Sequence, residues 1–201
     1  MACPFKKGLR CLGISESFRK NYPLSVLAGV VMRRDRIVDG VSITYITVGG
    51  LDATEGVIRL FRGLRRNDIS FVMLNGCIIS WYNIVDLERV YEEVGVPLIC
   101  VTYEESSGLE DVIKKRFPKD CEVRLELYRK LGRREPIVLK TGYPVYVRYY
   151  GLEKWQVREL LNAFTLCGRQ PEPLRVAALV ARAVVRAMPT RALAGNPILK
   201  S

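Results

Sequence analysis

Residues 41–66 read VSITYITVGGLDATEGVIRLFRGLRR, and the period of the apolar residues changes inside this stretch. The first part, Val41 to Val48, is rich in β-branched residues and reads as a strand. After Gly49-Gly50 the apolar side chains recur at Val57, Ile58, Phe61 and Leu64, the stripe of an amphipathic helix. Upstream, LRCLGI (Leu9 to Ile14) and LSVLAGVVMRR (Leu24 to Arg34) read as two further strands joined by short polar segments, so an antiparallel three-strand meander is expected. Downstream, ISFVML (Ile69 to Leu74) reads as a fourth strand, NIVDLERVYEEVG (Asn83 to Gly95) as a helix closed by glycine, and VPLICVTY (Val96 to Tyr103) as a fifth strand. A meander followed by helix, strand, helix, strand implies an α/β fold with a mixed sheet whose later strands are parallel.

The rest of the chain is more helical. GLEDVIKKRF (108–117), CEVRLELYRKLG (121–132) and EKWQVRELLNAF (153–164) read as amphipathic helices, with short strands PIVLK and PVYVRYY around Thr141-Gly142. A last helix is expected in QPEPLRVAALVARAVVRAM (170–188), with Pro173 in its first turn. No repeat, low-complexity segment or Gly/Ser linker appears, so residues 1–188 are expected to form one domain and 189–201 a frayed tail.

Composition excludes several chemistries. The chain contains no histidine, which rules out Ser-His-Asp and Cys-His nucleophile systems, histidine zinc sites and an imidazole base. The six cysteines form no C-x-x-C pair and sit mostly in apolar surroundings, so reduced core cysteines are expected. No apolar run reaches the roughly 18–20 residues that span a bilayer, and the N-terminus lacks a signal-peptide core, so a cytoplasmic protein without membrane contact is expected. The formal charge is +11, from 32 Lys and Arg against 21 Asp and Glu. A surplus of that size favours a polyanionic partner, because basic side chains near phosphates release condensed counterions.

Two acidic clusters fall near expected strand ends. Asp52 and Glu55 in GLDATE have the spacing of a capping box, and Asn83 and Asp86 in NIVD repeat it on the second helix. Residues 15 and 16 follow the first strand and Asn75 ends the fourth, so neighbouring strands would bring these positions together with Glu55. Convergent carboxylates there would hold one or two magnesium ions for phosphodiester cleavage. Trp81 and Tyr82 are placed to stack on an extruded base, against burial in the core as the plainer alternative. Arginines at 33, 34 and 36, at 65 and 66, and at 133 and 134 are candidate phosphate contacts, or else solvated helix ends.

GISESF (Gly13 to Phe18), VDGVSITYITVGGLDATEGVI (Val38 to Ile58), MLNGCIISWYNIVDL (Met73 to Leu87), VPLICV and PEPLRVAALVA (Pro171 to Ala181) resemble the archaeal endonuclease dU family, which is itself similar to endonuclease V. The resemblance covers nearly all of the first 187 residues in order. It implies an RNase H-like fold and a Mg- or Mn-dependent endonuclease acting on DNA that contains deoxyuridine. The meander-then-crossover order is the RNase H-like order as well.

The resemblance breaks at specific positions. Asp39, Asp52, Glu55 and Asp86 match, whereas Ser15 and Glu16 stand where the family commonly has GIDD, Gly49 stands for an aspartate, and Asn75 stands in LNG where LDG is common. By similarity to endonuclease V the three metal-binding positions fall at Ser15, Glu55 and Asn75, so only Glu55 keeps its charge. Glu16, Asp52 and Asp86 are the candidate compensators, although alternation along a strand points residues 15 and 16 to opposite faces. Arg175 is a weaker candidate for DNA contact. Three readings stay open: an active endonuclease, an impaired relative that binds nucleic acid through its basic surface, and a binding or scaffold module for RNA.

Overall fold

The computed structural model describes residues 8–20, 22–105 and 108–189. The first three strands, β1 (Arg10–Ser17), β2 (Leu24–Arg33) and β3 (Val38–Thr47), pair antiparallel as a meander. Helix α1 (Ala53–Gly63) then leads to β4 (Phe71–Asn75), which lies parallel to β1 on its other side. A two-stranded hairpin, β5 (Ile78–Ile79) and β6 (Asn83–Ile84), precedes α2 (Leu87–Val94) and β7 (Leu98–Thr102), which adds parallel to β4. After α3 (Glu110–Arg116) and α4 (Cys121–Lys130), the strands β8 (Glu135–Val138) and β9 (Pro144–Tyr150) close the far edge antiparallel. The order across the seven-stranded sheet is β3-β2-β1-β4-β7-β9-β8. Helices α5 (Lys154–Phe164) and α6 (Glu172–Ala187) complete the fold, with Pro173 in the first turn of α6 as expected.

Alternation along the strands divides the core into two faces. Leu12, Ile14, Leu27, Val72 and Leu74 pack against Ala53, Val57 and Leu60 of α1 and Val90 of α2. Cys11, Phe71, Met73 and Val101 point the other way, onto Leu160, Leu161 and Phe164 of α5 and Leu174 of α6. The approach of α6 to β1 depends on Gly13, because a Cβ there would meet the Pro173 backbone at 2.5 Å.

Two expectations need correction. The second helix begins at Leu87 rather than Asn83, because Asn83 is buried and turned back to α1 while Asp86 caps the helix by accepting from Arg89 N at 3.2 Å. Cys77 and Cys100 face the same core with Cα atoms 6.0 Å apart and are joined as a disulfide, so the expectation of reduced cysteines fails for this pair. Cys167 is free but exposed rather than in the core, and residues 190–201, most of the expected tail, lie outside the described residues. Among the described residues no helix is long and apolar enough to cross a membrane.

Candidate active site

Strands β1, β4 and β7 run parallel, so their carboxyl ends form one edge of the sheet. In open α/β sheets ligands sit beyond this edge. Glu16, Asn75 and Thr102 stand at the three strand ends. The turn after β4 is glycine-dependent, since Gly76 has φ +92°. Asn75-Gly76 is therefore both a turn and part of the edge.

Residues 15 and 16 do face opposite sides. Ser15 shares the α6 side with Gly13, is buried, and donates its hydroxyl to Leu174 O at 3.0 Å. Asn75 follows the parity of Phe71 and Met73 and so emerges on that same side. Glu16 points to the α1 side, where it accepts from Ser25 Oγ at 3.1 Å and from Ser80 N at 3.4 Å. Burial pushes the Glu16 carboxyl above its usual range, and the hydrogen bonds from Ser25 and Ser80 pull it only partly back.

The other carboxylates are committed elsewhere. Glu55 lies on the outer side of α1, half exposed, and pairs with Arg89 of α2. Asp52 accepts from Thr47 N, from Thr47 Oγ1 at 2.9 Å and from Asn83 Nδ2 at 2.7 Å, which ties the β3–α1 loop to the hairpin. The expected cap on α1 comes from Asn83 instead of Asp52, through Asn83 Oδ1 and Ala53 N at 2.9 Å. Asp86 caps α2 and pairs with Lys130 at 2.8 Å. The structure thus does not bring Glu16, Asp52, Glu55 and Asp86 together. The endonuclease V-type positions Ser15, Glu55 and Asn75 are divided between the two faces of the sheet.

That arrangement answers whether the residues present fit a divalent metal. A hard cation needs several oxygen ligands, with carboxylate charge among them. Among the described residues no group of three His, Cys, Asp or Glu could hold a metal ion. Near the edge stand the half-buried Glu16, one amide and a hydroxyl already donated to a carbonyl, with Glu104 and Glu105 farther out on the rim after β7. This donor set does not fit magnesium or manganese.

A loop clasp supports the edge from one side. Ser80, Trp81 and Tyr82 at the hairpin tip have φ values of 45°, 64° and 62°, the left-handed region that costs non-glycine residues about 1–2 kcal/mol each. Arg124 of α4 holds them. Its side chain, 2% exposed, donates to Tyr82 O at 2.7 Å, Gly49 O at 2.6 Å and Gly50 O at 3.0 Å, and to Asp120 at 2.8 Å. It also lies 3.9 Å over the Phe117 ring. Tyr82 packs edge-on against Trp81 and Phe117, and the Arg116 guanidinium sits 5.1 Å from the Trp81 ring. Both aromatics are half-buried, so they are neither lost in the core nor fully presented. Arg124 escaped the sequence reading, though one signal was there: it stands three residues after Cys121 and four before Tyr128, on the apolar stripe of its helix.

The expected phosphate-binding arginines are mostly paired. Arg33 pairs with Asp35, Arg175 with Glu172 at 2.6 Å, and Arg66 with both Asp39 and Asp68. Arg34 uses its backbone N–H on Leu9 O, and Arg65 is exposed. One expected arginine, Arg134, lines the edge together with two others. A groove of about 460 Å³ runs from Asn75 and Gly76 across Thr102 and Tyr103, with Arg134, Arg148 and Arg169 in its wall and Glu104 and Glu105 beside them. Arg148 and Arg169 were not singled out from the sequence, because Arg148 hides in a strand pattern and Arg169 in a loop.

A family model described as endonuclease dU matches residues 7–185. A UPF0215 protein of Pyrobaculum calidifontis is 42% identical over 174 residues, covering 86% of this chain and 95% of that protein. A UPF0215 protein of Methanosarcina acetivorans is 33% identical over 184 residues, with 90% and 92% covered. Among solved structures, a protein of unknown function from Archaeoglobus fulgidus superposes with a TM-score of 0.76 at 28% identity, covering 89% of this chain and 99% of that one. Ciona intestinalis endonuclease V, in complex with DNA containing an inosine followed by a ribo-adenosine, superposes with a TM-score of 0.60 at 16% identity over 89% and 86% of the two chains.

Proposed function

The chain belongs to the endonuclease dU family, has the fold of endonuclease V, and on that premise we propose that it binds DNA carrying deaminated bases, deoxyuridine first, with metal-assisted hydrolysis weakened far below binding. Family membership and the inosine-containing DNA held by the Ciona protein support the substrate class. The net charge of +11 supports a phosphate-led mode of binding. One observation carries the weakening: among the described residues at the ends of β1 and β4 themselves only Glu16 is a carboxylate, while Ser15 and Asn75 are neutral and Glu55 turns to Arg89.

In this reading the chain's own groups do the binding. Arginines around the groove neutralise the backbone, and Trp81 with Tyr82 offers a stacking surface beside Glu16. Glu16, half-buried, is a carboxyl at the edge whose proton affinity burial raises, as a general base or acid would need.

A second reading is favoured by the family match over most of the chain: an active endonuclease in which Glu55, Glu16, Asp52 and Asp86 regroup when DNA binds. One experiment separates the two. A labelled uracil-containing duplex is incubated with the protein in magnesium or manganese, and nicking and binding are followed in parallel at several salt concentrations. The proposal expects affinity that falls steeply with salt and nicking that is slow in the parent and unchanged by Glu55→Ala. Fast nicking abolished by Glu55→Ala would refute it in favour of the second reading, and salt-independent affinity would refute the phosphate-led mode.

A further inference from the structure

The groove beside Asn75 has a charge pattern that assigns the phosphate-led binding to particular side chains. Arg148, in the middle of β9, donates Nε–H to Gly132 O at 2.9 Å. Among the described residues no carboxylate lies within ion-pair distance of it. Its neighbour is another guanidinium, that of Arg134, and burial together with this like charge pulls the proton affinity of Arg148 down. Arg134 is held in place by donating to Glu104 O at 2.9 Å and Thr102 Oγ1 at 3.3 Å, with its guanidinium 5.7 Å from the Tyr146 ring. Arg169 donates to Tyr103 O at 2.8 Å, and its other arm is 3.9 Å from Glu104, whose side chain is 85% exposed.

We propose that Arg134 and Arg148, with Arg169 at the rim, form a clamp for a phosphodiester phosphate at the edge where a metal-dependent relative would place a cation. This deepens the reading above and rests on it for the identity of the phosphodiester. Two adjacent guanidiniums repel each other until an anion lies between them, and the planar fork of arginine matches phosphate oxygens two at a time. Asn75, which lines the same groove, fits this inversion, since a carboxylate there would repel the phosphate that the arginines attract. Glu104 and Glu105 stand on the rim and leave the Arg134–Arg148 wall as the anion-attracting side.

The test uses the full chain, Arg148→Gln, Arg148→Lys and the double variant Arg134→Gln/Arg148→Gln. Binding of a fluorescein-labelled uracil-containing duplex is read by anisotropy across a salt series, and inorganic phosphate by its shift of the melting temperature. Arg148→Gln should weaken the duplex about tenfold, and each lost arginine should lower the salt slope by about one. Arg148→Lys, which keeps charge but not the fork, should fall between parent and Arg148→Gln. Phosphate should raise the melting temperature of the parent and not of the double variant. A double variant that melts like the parent and binds both probes unchanged overturns the clamp. If the parent ignores the duplex but is stabilised by phosphate only while the arginines are present, the DNA reading fails and the clamp stands as a site for free phosphate. If the parent binds neither probe, both fall.

Discussion

Replacing Arg124 with methionine removes one side chain that holds two loops at once. Its guanidinium donates to the carbonyls of Gly49, Gly50 and Tyr82 and to Asp120, and its plane covers Phe117. A hydrogen bond to a charged group is worth about 1.5–3 kcal/mol net, and buried carbonyls stripped of their donor keep their full desolvation penalty. Methionine returns the packing on Phe117 but none of the donors. Asp120 is a third exposed, so water recovers part of the charge left behind, and the orphaned carbonyls dominate the loss. The expected cost is about 3–5 kcal/mol, the usual range for breaking one side of a buried pair. With an m-value of about 2 kcal/mol/M, urea unfolding by far-UV circular dichroism should show the midpoint falling by about 2 M. Arg124→Lys, able to reach fewer of these oxygens, should lose about half as much. Tryptophan fluorescence adds a local readout, since the left-handed turn at Ser80–Tyr82 loses its anchor and Trp81 should become more mobile in the still-folded variant. A loss below about 1 kcal/mol with an unchanged Trp81 signal would refute the clasp.

Asn75→Asp restores a carboxylate at the end of β4 and should raise metal-dependent nicking of a uracil duplex, whereas an unchanged rate would remove Asn75 from the site. Ser15→Asp should not help, because it sets a carboxylate against Leu174 O under α6; soluble, stable and more active protein would contradict this placement. Glu16 has a folded-state pKa above its unfolded value, so as pH rises through that window the folded protein loses stability by ionising a half-buried group. Glu16→Gln should therefore be more stable than the parent at pH 7, with the gain vanishing below about pH 4, the unfolded carboxyl range; an equal gain at both pH values would be the wrong result. Asp68 behaves oppositely, held at about 2 by the Arg66 guanidinium, so its stabilising effect is full above about pH 4 and lost as pH falls toward 2. Melting of Asp68→Asn against the parent should converge at the acid end. Reduction of the Cys77–Cys100 bridge, which closes a loop with a sequence separation of 23, should cost about 3 kcal/mol, read from urea melts with and without reductant.

The fold was legible where the apolar period is strong. The change from strand to helix between Val48 and Val57 located the meander and α1, and the family motifs supplied the same order independently. Residues 75–86 were harder because their local pattern is helical from Asn83 onward, while the actual fold of that segment depends on contacts across 30 or more residues, such as Asn83 with Ala53. Spacing in GLDATE correctly marked a helix start and misassigned the cap for the same reason. Arg124, Arg148 and Arg169 act through neighbours distant in sequence, and no local motif announces them.

Asn75 and the arginines of the groove bear on a single electrostatic question. A carboxylate near a phosphodiester is tolerable only when a cation lies between it and the substrate, since alone it repels the phosphate by about 4 kcal/mol at 4 Å and an effective dielectric of 20. An amide at the end of β4 removes the need for that cation in binding and also removes charge that would hold it. A surface that then presents Arg134 and Arg148 to the same groove attracts the backbone directly, so affinity can persist while hydrolysis declines. Asn75→Asp consequently probes both halves: a restored carboxylate should weaken DNA binding in the absence of divalent metal and strengthen metal-dependent nicking. Movement of both quantities in the same direction would show that binding and hydrolysis at this edge are not in electrostatic opposition.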